Sequence, residues 1–130
     1  MPSIFSKIIA GEIPCYKVKE NENYLALLDV FPLVKGHVLI IPKKEVDYIF
    51  DLDENTYSSL WSFAKEVSTA IKKAFPCNRI GVAVIGLEVP HAHIHLVPIN
   101  NMQDINFSNK KLALSKSEFV EVAEKIKSFL

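Results

Sequence analysis

The sequence predicts an α+β domain built on an antiparallel sheet of about five strands, with one long helix and a C-terminal helix. Three observations predict it. Short apolar runs are separated by turns containing Asn, Gly and Pro, the spacing of hairpins. One long stretch carries apolar residues every three or four positions, a helical period. The C-terminal stretch opens with a capping box before a second helical stripe. Hairpins with separate helices, not strictly alternating β–α units, define this class.

The elements follow in order. Residues 3–10 read as a short helix with apolar Ile4, Phe5, Ile8 and Ile9, closed by Gly11. Residues 16–20 and 24–29 read as two strands, joined by the polar turn Asn21-Glu22-Asn23. A loop through Pro32 and Gly36 leads to a third strand at 37–42, and a short helical piece is expected at 46–50. The long helix is expected at 53–75, N-capped by Asp53 and stopped by Pro76. Its stripe is Tyr57, Leu60, Trp61, Ala64, Val67, Ile71, Ala74 and Phe75. Residues 79–85 read as a buried strand, 86–90 as a turn, and the histidine-rich run as the strand that closes this hairpin. A long irregular stretch, 99–114, precedes a helix opened by Ser115-Lys116-Ser117-Glu118, with a stripe of Phe119, Val122, Ala123, Ile126, Phe129 and Leu130.

Composition narrows the function. The 130 residues form one domain, long enough to bury a core. Fifteen Lys and Arg balance fifteen Asp and Glu, which argues against a nucleic-acid binder working by phosphate neutralisation. Cys15 and Cys77 have no ligand spacing and read as free, buried thiols of a reducing cytoplasm. No apolar h-region and no run of 18 apolar residues suggests a signal peptide or a membrane partner.

Three of the four histidines fall within five residues, as His91-Ala92-His93-Ile94-His95. On a strand, side chains alternate, so the three imidazoles would share one face while Ala92, Ile94 and Leu96 pack on the core. Buried imidazoles need hydrogen-bond partners, so such a cluster has a use. It could be structural. It could bind a metal, although three side chains spread over about 13 Å of strand meet one ion poorly. It could perform nucleophilic catalysis, one neutral ring attacking phosphorus while its neighbours orient it and bind phosphoryl oxygens. The strand geometry suits that last division of labour best.

The run His91-Ala92-His93-Ile94-His95-Leu96-Val97 resembles the His-φ-His-φ-His-φ-φ signature of the histidine-triad (HIT) nucleotide hydrolases and transferases. The likeness extends to residues 4–14, 25–32 and 36–43, and so to most of the core at 3–98. The small nucleoside phosphoramidase-like branch is the most similar. The resemblance implies a cytoplasmic enzyme of one domain, residues 1–130. It would cleave a purine nucleotide, a phosphoramidate or a dinucleoside polyphosphate, at the α-phosphate through a nucleotidyl-histidine, without a cofactor. By position, His93 is the nucleophile, His91 orients it, and His95 contacts the α-phosphate or bridging atom. His37 is the fourth histidine beside them, or else a satisfied strand histidine. Asp29 accepts from the ribose hydroxyls, or else caps a turn. Phe5, Ile8, Leu27, Leu28 and Val30 line the base slot. A homodimer through the long helix and a neighbouring strand is implied, the helix offering Tyr57, Leu60, Trp61, Ala64 and Val67.

The sequence also departs from the family pattern. Ser3 and Ser6 stand where some relatives carry zinc-binding cysteines, so no metal is expected. Leu87 and Glu88 stand in the turn where Gln and Ser or Thr are usual, and Ile80 where an Asn contacts the phosphate region. Glu88 would be a proton donor near the phosphate, or an exposed turn residue. This altered shell keeps a second function open, a nucleotide-binding regulatory protein with weak or no catalysis.

Overall fold

The computed structural model describes residues 2–130. Helix α1 (Ile4–Ile9) leads to strands β1 (Lys17–Glu20), β2 (Tyr24–Leu28) and β3 (Val38–Pro42). A 3-10 turn (Ile49–Asp51) precedes α2 (Glu54–Ala74), then come β4 (Arg79–Ala83) and β5 (Ile94–Ile99). A second 3-10 turn (Met102–Ile105) and α3 (Lys116–Lys127) complete the chain. The strands form one antiparallel sheet in the order β1-β2-β3-β5-β4, the α+β fold expected. Among the described residues, no helix is long and apolar enough to cross a membrane.

Local chemistry sets the boundaries. The Asn21 carboxamide oxygen accepts from the N–H groups of Asn23 and Tyr24 at 2.9 and 2.8 Å, an Asx turn that closes the first hairpin. Asp53 accepts from Thr56 N–H at the start of α2. Ser115 and Glu118 exchange reciprocal bonds of 3.2 and 3.0 Å, the expected capping box of α3. Gly36 takes φ +96°, and a Cβ there would lie 3.0 Å from both Phe75 and Pro98, so glycine is required just before His37.

Alternation divides the core. Tyr24, Ala26 and Leu28 of β2, Val38 and Ile40 of β3, and Ile94 and Leu96 of β5 face α2 and α3. They pack on Leu60, Ala64, Val67, Ile71, Phe119, Val122 and Ile126. Truncating fully buried Leu60 to Ala would cost about 2–5 kcal/mol. The opposite face carries Leu25, Leu27, Leu39 and Ile41, which pack with Phe5 and Ile8 of α1.

Several expectations are corrected. The strand expected at 79–85 is not buried: β4 is the outer strand of the sheet, ends at Ala83, and leaves Val82 50% exposed. Leu60, Ala64 and Val67 do not form an outer face of α2, because the chain's own sheet covers them. Only half-buried Tyr57 and Trp61 remain outside, in a row of ring contacts that runs from Trp61 through Tyr57 to exposed Phe50 and Tyr48. Phe129 and Leu130 lie beyond the end of α3 and are exposed. Cys15 and Cys77 are free but only half-buried.

Candidate active site

The four histidines converge on the α1 side of the sheet and are all buried. Only His95 lies within a strand, opposite Leu39 of β3 and Ala83 of β4. His91 and His93 precede β5, correcting the single-strand expectation. There the ladder gives way to a turn bond from His91 N–H to the Val89 carbonyl and a bond from Ala92 N–H to the Val46 carbonyl. The alternation persists nonetheless, since Ala92, Ile94 and Leu96 all enter the helix-side core.

Hydrogen bonds fix the tautomers. The His91 carbonyl can only accept, so His93 Nδ1 donates to it at 2.7 Å and leaves Nε2 without a proton in the neutral ring. Leu33 N–H donates to His37 Nδ1 at 3.1 Å, so His37 carries its proton on Nε2. That proton goes to His95 Nδ1 at 3.0 Å, which puts the proton of neutral His95 on its own Nε2. His91 Nε2 donates to the Pro42 carbonyl at 2.7 Å, and its Nδ1 accepts from the Ser3 hydroxyl at 2.7 Å. Two ring atoms remain without a hydrogen bond among the described residues: the bare His93 Nε2 and the protonated His95 Nε2. Their rings meet edge to face with centroids 5.0 Å apart, and Phe5 stands edge-on to His93, also at 5.0 Å.

Electrostatics favour neutral rings at His37, His91 and His95. Burial, then His95 and Lys111, pushes His37 down to about 3. Burial, then His93, pushes His95 down to about 4. Burial also lowers His91, against the pull of its Pro42 bond and of Glu45. Asp29 Oδ2 lies 3.4 Å from His37 Nε2. Because His37 is neutral, this is a weak second contact of the Nε2–H and not an ion pair. Asp29 itself is raised by burial, partly offset by the Phe31 N–H it accepts at 2.8 Å.

The remaining expected residues divide. Phe5, Ile8 and Leu27 form one apolar wall beside the histidines, and Val30 is half-exposed at the end of β2. Leu28 is a correction: it points into the helix-side core, because neighbours on a strand face opposite ways and Leu27 already faces α1. Glu88 is exposed beside the fully open Leu87, with no hydrogen bond or ion pair among the described residues tying it to the histidines.

Two arrangements bear on metals. Asp29, His37 and His95 offer atoms within 4.8 Å of one another. His37 would have to ligate through Nε2, which carries its proton because Leu33 N–H occupies Nδ1. The donor set therefore suits a hydrogen-bonded relay and not an ion. Ser3 meets His91 and Glu45 ties Ser6 to Ser3, but neutral hydroxyls replace the thiolates a structural zinc needs. These residues do not fit the zinc of the family.

Three participants were not visible in the sequence. Phe107 sets its ring edge-to-face on His95 at 4.8 Å and reaches His37 at 6.2 Å. Lys111, bonded to the carbonyls of Phe107 and Asn109, holds a cation near Asp29 and His37. Glu45 reaches the site through two serines. The unusual length of the stretch at 99–114 was the only advance signal of the first two, and Glu45 had none.

A protein-family model of the HIT domain matches residues 10–102. The adenosine 5'-monophosphoramidase hnt1 of Schizosaccharomyces pombe is 30% identical over 130 residues, with 98% of each chain covered. An uncharacterized HIT-like protein of Borreliella burgdorferi is 33% identical over 131 residues, covering 95% of this chain and 94% of the relative. The crystal structure of a HIT-like protein involved in cell-cycle regulation from Bartonella henselae matches with a TM-score of 0.85 at 29% identity, over 98% of this chain and 96% of that one. With its histidine motif, its sheet order and these relatives in agreement, the chain belongs to the histidine-triad, or HIT, family.

Proposed function

We propose that the protein is a nucleotide hydrolase or nucleotidyl transferase that cleaves a purine nucleotide at its α-phosphate through a nucleotidyl-His93 intermediate. One observation carries the proposal: a ring nitrogen with a free lone pair, His93 Nε2, sits beside a ring N–H donor, His95 Nε2–H, with both tautomers fixed from behind. A lone pair to attack phosphorus and a donor to hold a phosphoryl oxygen are what in-line substitution needs. His93 Nε2 bonds to the α-phosphorus as the bond to the leaving amine or phosphate breaks, and the departing group takes a proton from solvent. The positive charge that forms on His93 is stabilised through Nδ1–H by the His91 carbonyl. Water then splits the N–P bond, releasing the nucleoside monophosphate and restoring the ring.

Phe5, Ile8 and Leu27 would hold the base, with Val30 at the rim, and Asp29 would accept from the ribose hydroxyls. The relative named as an adenosine 5'-monophosphoramidase supports a phosphoramidate as the first substrate to test. The competing function, nucleotide binding with little turnover, is favoured by the exposure of Glu88 and Leu87, which leaves the turn without a donor at the histidines. Incubation with adenosine phosphoramidate or a dinucleoside polyphosphate, rapid quenching and intact-mass spectrometry decides between them. A nucleotide adduct on His93 is expected, and His93→Ala should abolish turnover while retaining nucleotide binding. Full turnover in His93→Ala would overturn the mechanism; tight binding by wild type with no turnover would establish the competing function.

A further inference from the structure

We infer that Glu45 is a positioning residue for the reacting histidine, acting through Ser3, Ser6 and His91. The inference rests on the proposed nucleophilic role of His93, and its first readout does not depend on that role. Glu45 lies in the loop after β3, outside the histidine cluster. One of its oxygens, Oε1, accepts from Ser3 N–H at 2.6 Å and from the Ser6 hydroxyl at 2.6 Å. Ser3 is the N-cap of α1, and its Oγ accepts from Ser6 N–H at 3.0 Å. The one hydroxyl proton of Ser3 goes to His91 Nδ1 at 2.7 Å in preference to Ser6 Oγ at 3.4 Å, because His91 Nε2–H is spent on the Pro42 carbonyl and leaves Nδ1 an acceptor. His91 is closed on its other side by the Pro42 carbonyl, and its own carbonyl holds His93 Nδ1–H. The path from Glu45 to His93 crosses three hydrogen bonds through Ser3 N–H, of 2.6, 2.7 and 2.7 Å, or four by way of Ser6, of 2.6, 3.0, 2.7 and 2.7 Å.

A chain of this kind differs from an ordinary surface contact in what it orients. A six-residue helix is too short to hold itself, and α1 has no acidic residue in its first turn. Glu45 supplies from another element an oxygen that accepts from both Ser3 N–H and the Ser6 hydroxyl, and so fixes the direction in which Ser3 presents its own hydroxyl. With that direction fixed, the His91 ring keeps one position, and so does the backbone whose carbonyl holds His93 Nδ1–H. The Ser6 and Ser3 hydrogen bonds depress Glu45 to about 2, so it is ionised near neutral pH.

The test compares Glu45→Ala, Glu45→Gln and Ser3→Ala in the full-length chain. Nitrogen-15 spectra of the imidazoles in the substrate-free protein report the tautomers directly. In wild type, His91 should be protonated on Nε2 and His93 on Nδ1. In Glu45→Ala the Ser3 hydroxyl loses its fixed direction and the His91 Nδ1 signal should shift toward that of an unbonded ring nitrogen, and in Glu45→Gln, whose carboxamide oxygen accepts the same two bonds, it should return to the wild-type position. With adenosine phosphoramidate, kcat of Glu45→Ala should fall about 10- to 100-fold, because a misaligned nucleophile loses rate steeply, with little change in nucleotide Kd. Glu45→Gln should recover most of that rate. Ser3→Ala should lose a similar factor, and the double variant should lose no more than either single one. An unchanged His91 Nδ1 signal in a folded Glu45→Ala protein would overturn the inference whatever the fate of the catalytic proposal. Loss of kcat in His93→Ala with none in Glu45→Ala would overturn the inference alone.

Discussion

Acidification from pH 7 to pH 5 should destabilise the fold by about 4 kcal/mol through His37 and His95 alone. Their folded pKa values are about 3 and about 4, set first by burial. In the unfolded chain a histidine titrates near 6.5. Between pH 7 and pH 5 the unfolded state takes up protons that the folded rings refuse. The stability these rings contribute is therefore fully present above about pH 6.5 and lost as pH falls toward the folded values. At pH 5 the gap to the unfolded value is about 1.5 units, or about 2 kcal/mol per ring. The groups facing this pair are Asp29, His93, Phe107 and Lys111. Asp29 works in the opposite sense, since its raised pKa returns stability as it protonates. The lowered carboxylates of Glu20, Glu45, Asp53 and Glu118 lose their contributions only below the ordinary carboxylate range, outside this window. Urea unfolding at the two pH values and constant ionic strength, followed by Trp61 fluorescence and circular dichroism, gives the difference. His37→Gln should lose about 2 kcal/mol less than wild type over the same interval. Parallel losses in both proteins, or a wild-type loss below about 1 kcal/mol, would refute the neutral-relay argument.

Gly36→Ala should destabilise the protein by about 2 kcal/mol or more, measured by thermal unfolding, because φ +96° is closed to L residues and Phe75 and Pro98 leave no room for the Cβ. Exhaustive chelation should leave nucleotide turnover unchanged apart from any magnesium bound to substrate, and stoichiometric zinc lost together with activity would contradict this. Sedimentation at micromolar concentration should show a dimer, and Trp61→Glu should shift it toward monomer; Trp61 Nε1 is buried without a hydrogen-bond partner among the described residues, and its ring contact with Tyr57 continues to exposed Phe50 and Tyr48. Glu88→Gln should slow phosphoramidate and nitrophenyl-ester cleavage equally or not at all, since Glu88 is exposed. A selective loss on the phosphoramidate would restore it as proton donor.

What the sequence made legible was local. Asp53, Ser115 and Asn21 announce their turns because each side chain bonds within three residues of itself. The imidazole phase of His91, His93 and His95 follows from a period of two. The position of β4 was not legible, because Val82 and Ile80 look the same on an edge strand as in the middle of a sheet. Leu28 was misplaced by resemblance although alternation alone would have separated it from Leu27. Glu45, Phe107 and Lys111 were invisible, because their roles come from loops brought to the histidines across long stretches of chain.

The start of β5 at Ile94 divides the triad between two kinds of backbone. His95 belongs to a ladder with strands on both sides, whereas the peptide of His93 is carried by a segment pinned at Val89 and Val46. Central ladder amides open only with the whole fold, and those beyond a ladder's end open in smaller excursions. Amide exchange should thus be slow at His95 and faster at His93. The ring that would meet the phosphate rides on the rigid part of the molecule. The ring that would form and break a covalent bond rides on a segment outside the ladder, held in place by two loop bonds and by the carbonyl behind it.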